Sequence, residues 1–201
     1  MNRSRSQGFT LIEMVAVMVI MAIILSIAIP AVTNLSKANV MSAGAREVAN
    51  TLSLARQFAI THRTYARVVF PYSGTLNNPD MWYHTYAVIR NADPANAGGW
   101  VYETKWEYLP VGVVFLNGNV LGSLHNLQQQ ANIPFPNNIP GNFGTLAYIQ
   151  FGPTGAAFSA GALTINSGFL TSGGFPQPTT TNNYRNIFVD NIVGHVQVTS
   201  P

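Results

Sequence analysis

The chain has 201 residues, of which Lys, Arg, Asp and Glu make up 8%, against about 25% in ordinary soluble domains. The formal charge is +3, yet without Arg3 and Arg5 at the extreme N-terminus eight basic residues face seven acidic ones, which gives no argument for a polyanionic partner. Cysteine is absent, and that excludes disulfides and thiolate metal sites.

Residues 1–8 form a short leader with two arginines and no acid. From Phe9 to Ile29 runs an apolar stretch of 21 residues, about 31 Å long as a helix, the thickness of one bilayer core. Thr10, Glu13 and Ser26 are its only polar members. A helix buried in a soluble protein rarely stays apolar on every side for this length. An ordinary secretory signal is the stronger rival, because Ser26-Ile27-Ala28 offers a small-x-small cleavage pattern, although such signals have a core of roughly 7–15 residues. A carboxylate costs roughly 2.5–3.5 kcal/mol at a membrane helix centre and less near the boundary. Glu13 therefore calls for a partner, unless it snorkels to the headgroups. Arg3 and Arg5 hold the leader on the cytoplasmic side and send the remainder across. Pro30 removes one helical hydrogen bond, so a kink is predicted there rather than a stop.

After Pro30 the helix is predicted to continue. Met41, Ala45, Val48, Leu52, Ala55 and Ala59 recur at alternating spacings of four and three, an amphipathic stripe suited to covering a sheet. Gly44 is a fault in it worth about 1 kcal/mol. The helix is predicted to end near His62. From Tyr65 the period becomes two, with strands predicted at 65–70, 83–90, 100–108, 111–116, 146–151, 162–165, 186–190 and 194–198. Turn residues separate them: Pro71-Tyr72-Ser73-Gly74, Asp93-Pro94, Gly98-Gly99, Gly152-Pro153-Thr154-Gly155 and Ser172-Gly173-Gly174. Residues 117–144 and 167–183 read as long polar loops whose role the sequence does not reveal. About 140 residues follow the helix, enough for one modest core.

The hexapeptide Gly8-Phe9-Thr10-Leu11-Ile12-Glu13 resembles the type IV prepilin signal at every position, and the chain is similar to the pilin and pseudopilin superfamily. Further along, the order of segments resembles the GspH/FimT-type minor pseudopilins. The residues that carry this are Leu52 to Ile60 at the helix end, Leu109-Pro110-Val111-Gly112-Val113, Phe151-Gly152-Pro153-Thr154-Gly155 and Gly194-His195-Val196-Gln197-Val198. The resemblance implies an α+β, pilin-like fold, in which a long N-terminal helix, transmembrane and then amphipathic, packs on a C-terminal antiparallel β-sheet or sandwich head. The parts would be a leader (1–8), a transmembrane half-helix (9–29), an amphipathic half-helix (30–62) and a β-rich extracytoplasmic head (63–201). It also implies that a prepilin peptidase cuts after Gly8 and methylates Phe9. Glu13 would then set subunit register by pairing with a neighbour's Phe9 ammonium. The partners implied are other pseudopilins or pilins through the N-terminal helix, and membrane lipid before assembly. The localisation implied is single-pass in the inner membrane, then in a filament. Arg56 is expected to bind carbonyls of the first sheet.

The residues point to no enzyme, cofactor or metal. His62, His84, His125 and His195 lack metal-ligand spacing. Glu103 and Glu107 would share one face of the predicted 100–108 strand, a solvated edge rather than an acid–base pair. The acids are too sparse for a calcium site. Some FimT-like relatives that take up DNA share a Gly-Arg-x-Arg segment, but this chain has Gly194-His195-Val196-Gln197. With only Lys105 and Arg185 in the later half, nucleic acid is not an expected partner. The aromatics Trp82, Tyr83, Tyr86, Trp100, Tyr102, Trp106 and Tyr108 suit a sheet core better than a stacking surface. Three readings stay open: a type II secretion pseudopilin, a minor type IV pilin for adhesion or DNA uptake, and an anchored binding protein unrelated to filaments.

Overall fold

The computed structural model describes residues 9–72, 79–93, 99–117, 122–134, 143–158, 162–179 and 183–200. The leader with Arg3, Arg5 and Gly8 lies outside these residues, as do Ser73, Gly74, Pro94 and Gly98 of the predicted turns and parts of both predicted loops. The side chains of Pro30 and His125 lie outside them too. The chain divides into two compact units, Met1–Ala38 and Asn39–Pro201.

One helix, α1 (Leu11–Thr61), accounts for the described part of the first unit and begins the second. It passes through Pro30 without a stop. Every side chain from Phe9 to Ile29 is exposed, so the apolar stretch has no protein partner within its unit. Among the described residues, Leu11–Ile29 is the one helical segment long and apolar enough to cross a membrane.

In the second unit the predicted stripe is the packing face: Met41, Ala45, Val48, Leu52, Ala55 and Ala59 are all fully buried. Gly44 is explained by the close approach of another segment, since a Cβ there would lie 3.2 Å from Pro110 Cδ. The helix ends one residue before His62. Thr64 N donates to Ala59 O (3.1 Å) and Arg63 N to Ile60 O (3.2 Å), with Arg63 left-handed at φ 52°. This is a Schellman stop built on arginine instead of glycine.

Eleven strands are described: β1 (Ala66–Phe70), β2 (Thr85–Asn91), β3 (Trp100–Tyr102), β4 (Glu107–Tyr108), β5 (Val113–Phe115), β6 (Gln128–Pro134), β7 (Phe143–Phe151), β8 (Ala162–Leu170), β9 (Pro176–Pro178), β10 (Tyr184–Val189) and β11 (Val196–Thr199). The first sheet has the order β3-β2-β1-β7-β6, with β4 also on β2; the second runs β11-β10-β8-β5, with β9 on β8. Every pairing is antiparallel. The helix stripe shares one core with Val68, Phe70, Val88 and Ile149 of the first sheet and with Phe115, Leu163, Ile165 and Ile187 of the second. Each such side chain contributes about 1.5–3 kcal/mol by leaving water. A second cluster, including Val69, Ala87, Ile89 and Leu146 beneath Trp100, Tyr102 and Trp106, covers the other face of the first sheet. The α+β architecture is thus the expected one.

Several predicted elements differ. The 100–108 strand is two short pieces, β3 and β4, and Glu103 and Glu107 do not share a face as an isolated pair. Glu103 Oε1 accepts from Arg90 Nε at 2.7 Å, and Glu107 Oε2 accepts from Thr51 Oγ1 of α1 at 3.1 Å. Tyr83 does not open a strand; it is fully buried in the left-handed region at φ 57°. Such backbone costs about 1–3 kcal/mol in a bulky residue. Three hydrogen bonds hold it: Tyr83 N donates to Pro71 O (3.0 Å), Phe115 N donates to Tyr83 O (2.6 Å) and the phenol donates to Asn117 Oδ1 (3.0 Å). The predicted 117–144 loop contains a 3-10 turn, Leu124–Asn126, and β6. The 167–183 loop contains the end of β8 and all of β9. In β6 the glutamines replace apolar packing with hydrogen bonds: Tyr72 OH donates to Gln129 Oε1 (2.6 Å) and Tyr148 OH to Gln128 Oε1 (2.9 Å).

Candidate functional site

The N-terminal end of α1 contains a reciprocal cap. Thr10 N and Thr10 Oγ1 donate to Glu13 Oε2 at 2.8 and 2.7 Å, while Glu13 N donates back to Thr10 Oγ1 at 3.4 Å. Thr10-Leu11-Ile12-Glu13 is a capping box, in which a threonine at the helix cap and a glutamate three residues on satisfy each other's orphan groups. The acid at the mouth of the apolar helix thus has partners within its own chain. The Thr-x-x-Glu spacing is visible in the sequence, although the expectation for Glu13 gave it a partner in another subunit. Ser26 is satisfied likewise, Oγ donating to Ile23 O at 2.7 Å. Phe9 precedes the helix and is 78% exposed, so the residue expected to carry the new amino terminus stands clear of the fold. Phe9 and Glu13 share this end of the helix; Gly8 lies outside the described residues.

At the other end of α1, Arg56 Nε donates to two carbonyls, Gly155 O at 3.1 Å and Val193 O at 3.0 Å. Neither belongs to a strand of the first sheet, as had been expected. Gly155 lies in the turn after β7, and Val193 in the turn between β10 and β11, so one side chain ties the helix to both sheets. The turn Gly152-Pro153-Thr154-Gly155 presents the first carbonyl, closed by Gly155 N on Gly152 O (2.8 Å) with Gly155 at φ 84°. The second is set by Asp190, whose Oδ1 accepts from Ile192 N (2.8 Å) and Val193 N (2.9 Å). Those amides, Val193 first and Ile192 next, hold the Asp190 carboxyl below its usual range. The folded value lies below the unfolded one, so the turn gains stability above the unfolded pKa and loses it as pH falls through the folded value. The protection of the Ile192 and Val193 amides, their exchange taken relative to an unfolded chain at the same pH, is therefore expected to fall on acidification below about pH 4, and Asp190→Asn should abolish that pH dependence.

The aromatic residues singled out in the sequence are spread over several environments. Tyr83 and Tyr86 are buried, Trp82, Trp100, Tyr102 and Trp106 half-buried, and Tyr108 is exposed. Arg67, which the sequence analysis did not single out, is sandwiched between Trp100 and Tyr148, its Cζ 3.9 and 4.0 Å from the ring centroids. Burial lowers its pKa to about 10, and it remains a cation at neutral pH. Nε donates to Gln150 Oε1 at 2.7 Å. His84 Nδ1 sits 2.9 Å from Trp82 O, and His62 stacks on Phe58. Among the described residues no three of His, Asp and Glu converge to hold a metal. A cleft of about 520 Å³ beside the helix is lined by Glu47, Thr51 and Glu107, and in it the Thr51 hydroxyl donates to the Glu107 carboxylate.

Residues 3–29 match the prokaryotic N-terminal methylation motif, and residues 44–187 match the family of type II transport protein GspH. Among solved structures, two of the minor pseudopilin EpsH from the type II secretion system of Vibrio cholerae are similar. One is 12% identical with a TM-score of 0.43, covering 80% of this chain and 97% of that one. The other is 14% identical with a TM-score of 0.46, covering 81% and 95%. The type IV minor pilin FimU of Pseudomonas aeruginosa is 11% identical with a TM-score of 0.46, covering 80% and 89%. No curated protein matches. With more than two thirds of its length matched by one family, the chain belongs to the type II transport protein GspH family and opens with the prokaryotic N-terminal methylation motif.

Proposed function

We propose that this chain is a minor pseudopilin, a non-catalytic structural subunit of a type II secretion pseudopilus. A prepilin peptidase cuts the Gly8–Phe9 bond and methylates the amine of Phe9. Residues 9–29 cross the inner membrane with the leader in the cytoplasm, and residues 63–201 form the extracytoplasmic head. Lipid surrounds the apolar helix until assembly. It then packs beside other pseudopilin helices, the Phe9 ammonium of one subunit meeting Glu13 of the next. Pro30 kinks the rod between its lipid-facing half and its amphipathic half, residues 30–62.

The observation that carries this reading is an exposed, lipid-length helix with one carboxylate, placed in its first turn. A carboxylate and an ammonium brought together in lipid relieve each other's burial and fix the axial stagger. Intact-mass measurement of the membrane-extracted protein tests it. The expected species begins at Phe9 and carries one added methyl group. Retention of Met1, or cleavage near Ala28, would overturn the reading. Deletion of the gene is expected to abolish secretion of folded cargo; loss of adhesion or DNA uptake with secretion intact would instead mark a minor type IV pilin.

A further inference from the structure

The edge of a sheet exposes unpaired N–H and C=O groups, and proteins blunt it with short strands, prolines, bulges, charges or cover. In the first sheet β3 and β4 are three and two residues long. β6 has a register shift between Gln130 and Ile133 and ends on Pro134. In the second sheet β9 carries Pro176 and Pro178. β5 is covered, because Val113 N and Phe115 N donate to Pro110 O and Tyr83 O. The remaining described edge is β11, Val196-Gln197-Val198-Thr199, and it has none of these devices.

Asp190 N donates to His195 O at 2.9 Å, which makes the two a hydrogen-bonded pair. Such pairs alternate along an antiparallel ladder. Gln197 opposite Phe188, and Thr199 opposite Asn186, therefore turn their main-chain groups to β10. Val196 and Val198 turn theirs outward. Among the described residues no strand or backbone group takes these up, and the strand is open to solvent, Val198 being 40% exposed.

The outward N–H and C=O groups thus stand in line at strand spacing. A helix uses its own main-chain groups internally, and a sugar or an ion does not offer donors and acceptors in this repeat. An extended chain does. A second copy pairing edge to edge would bring only the same four residues, well short of the ~1,000 Å² that a stable interface buries. A loose segment of another protein can run on past Val196 to the turn before it, where Ile192 is 83% exposed and Val193 53%.

We propose that β11 accepts an uncharged extended strand from a partner protein, paired antiparallel like the other strands of the head. Apolar residues of that strand lie on the side of Val196 and Val198, and their main chain bonds to those two residues. That the donor is another filament subunit rests on the function proposed above; the strand pairing itself does not.

Amide exchange tests this in the full-length protein in detergent micelles. The probes are acetyl-Thr-Val-Thr-Val-Thr-amide and the same peptide N-methylated at both valines. Alone, the protein is expected to protect the amides of Gln197 and Thr199 but not those of Val196 and Val198. Saturating unmodified peptide should slow exchange at Val196 and Val198 at least tenfold, and the N-methylated peptide should not. Val198→Pro removes one outward N–H and spares those that bond to β10. It should weaken binding at least tenfold with the melting temperature and the protection of Gln197 unchanged. The proposal is overturned if neither valine gains protection, if the N-methylated peptide binds equally, or if a folded Val198→Pro binds as tightly as the parent. Protection of both valines in the protein alone, falling on dilution, would assign the edge to a second copy and overturn it too. If Val198→Pro does not fold, the N-methylated peptide still decides. None of these outcomes bears on the mass of the N-terminus, which tests the function separately.

Discussion

Glu13→Ala is expected to leave cleavage after Gly8 and membrane retention intact while removing the subunit from filaments. The variant loses a helix cap worth about 1 kcal/mol, too little to unfold a helix of 51 residues. On the proposed pairing with a neighbour's Phe9 ammonium, what it loses between subunits is larger. Taking one partner from a buried ion pair costs about 3–5 kcal/mol, which lowers association by roughly two to three and a half orders of magnitude at about 1.4 kcal/mol per decade. Glu13→Gln separates the two roles. It keeps a side chain able to accept from Thr10 N but carries no charge, so it should be capped yet still fail to assemble. Co-purification with the other filament subunits, alongside intact mass, reads both outcomes. Assembly of the glutamine variant at the wild-type level would end the charge-pair account and leave Glu13 as a cap alone.

Gly194→Ala should destabilise the head by about 3 kcal/mol. Gly194 is at φ 64°, where a residue with a Cβ costs roughly 1–2 kcal/mol. Its added methyl would collide with the backbone oxygen of Gly155 and approach Arg56 Nε to 3.1 Å. Backbone cannot rotate away as a flexible side chain would, so the two turns must part and Arg56 must lose a carbonyl. Hydrogen bonds to charged groups are worth about 1.5–3 kcal/mol, and here only part of that is forfeited. Thermal unfolding of the variant should show the fall, and Arg56→Ala should show a smaller one. Because both changes disrupt the same cluster, the double variant should be less destabilised than the sum of the two.

The helix was legible because its stripe is periodic: six positions from Met41 to Ala59 were named from spacing, and all six are fully buried. β1, β2 and β7 were legible for a similar reason, since Val and aromatic residues mark them. β6 was hidden because Gln128, Gln129 and Gln130 have no apolar alternation; the partners of Gln128 and Gln129 are tyrosine hydroxyls contributed from elsewhere in the chain. β9 was hidden by Pro176 and Pro178, which argue against a strand until β8 is seen to supply its edge. Tyr83 looked like a strand residue because side-chain type does not report a left-handed backbone held by three distant hydrogen bonds. At the N-terminus the acid was found, but its local partner Thr10 was passed over in favour of a distant one.

The Arg56 bridge carries a mechanical corollary. If the proposed filament role holds, a subunit hauled along its rod receives the load through α1, near whose end one guanidinium reaches a loop from each sheet. Both anchors meet at the same Nε, so a displacement of the helix end reaches the two loops through one atom. A head built this way should yield all at once under force, with no half-opened stage.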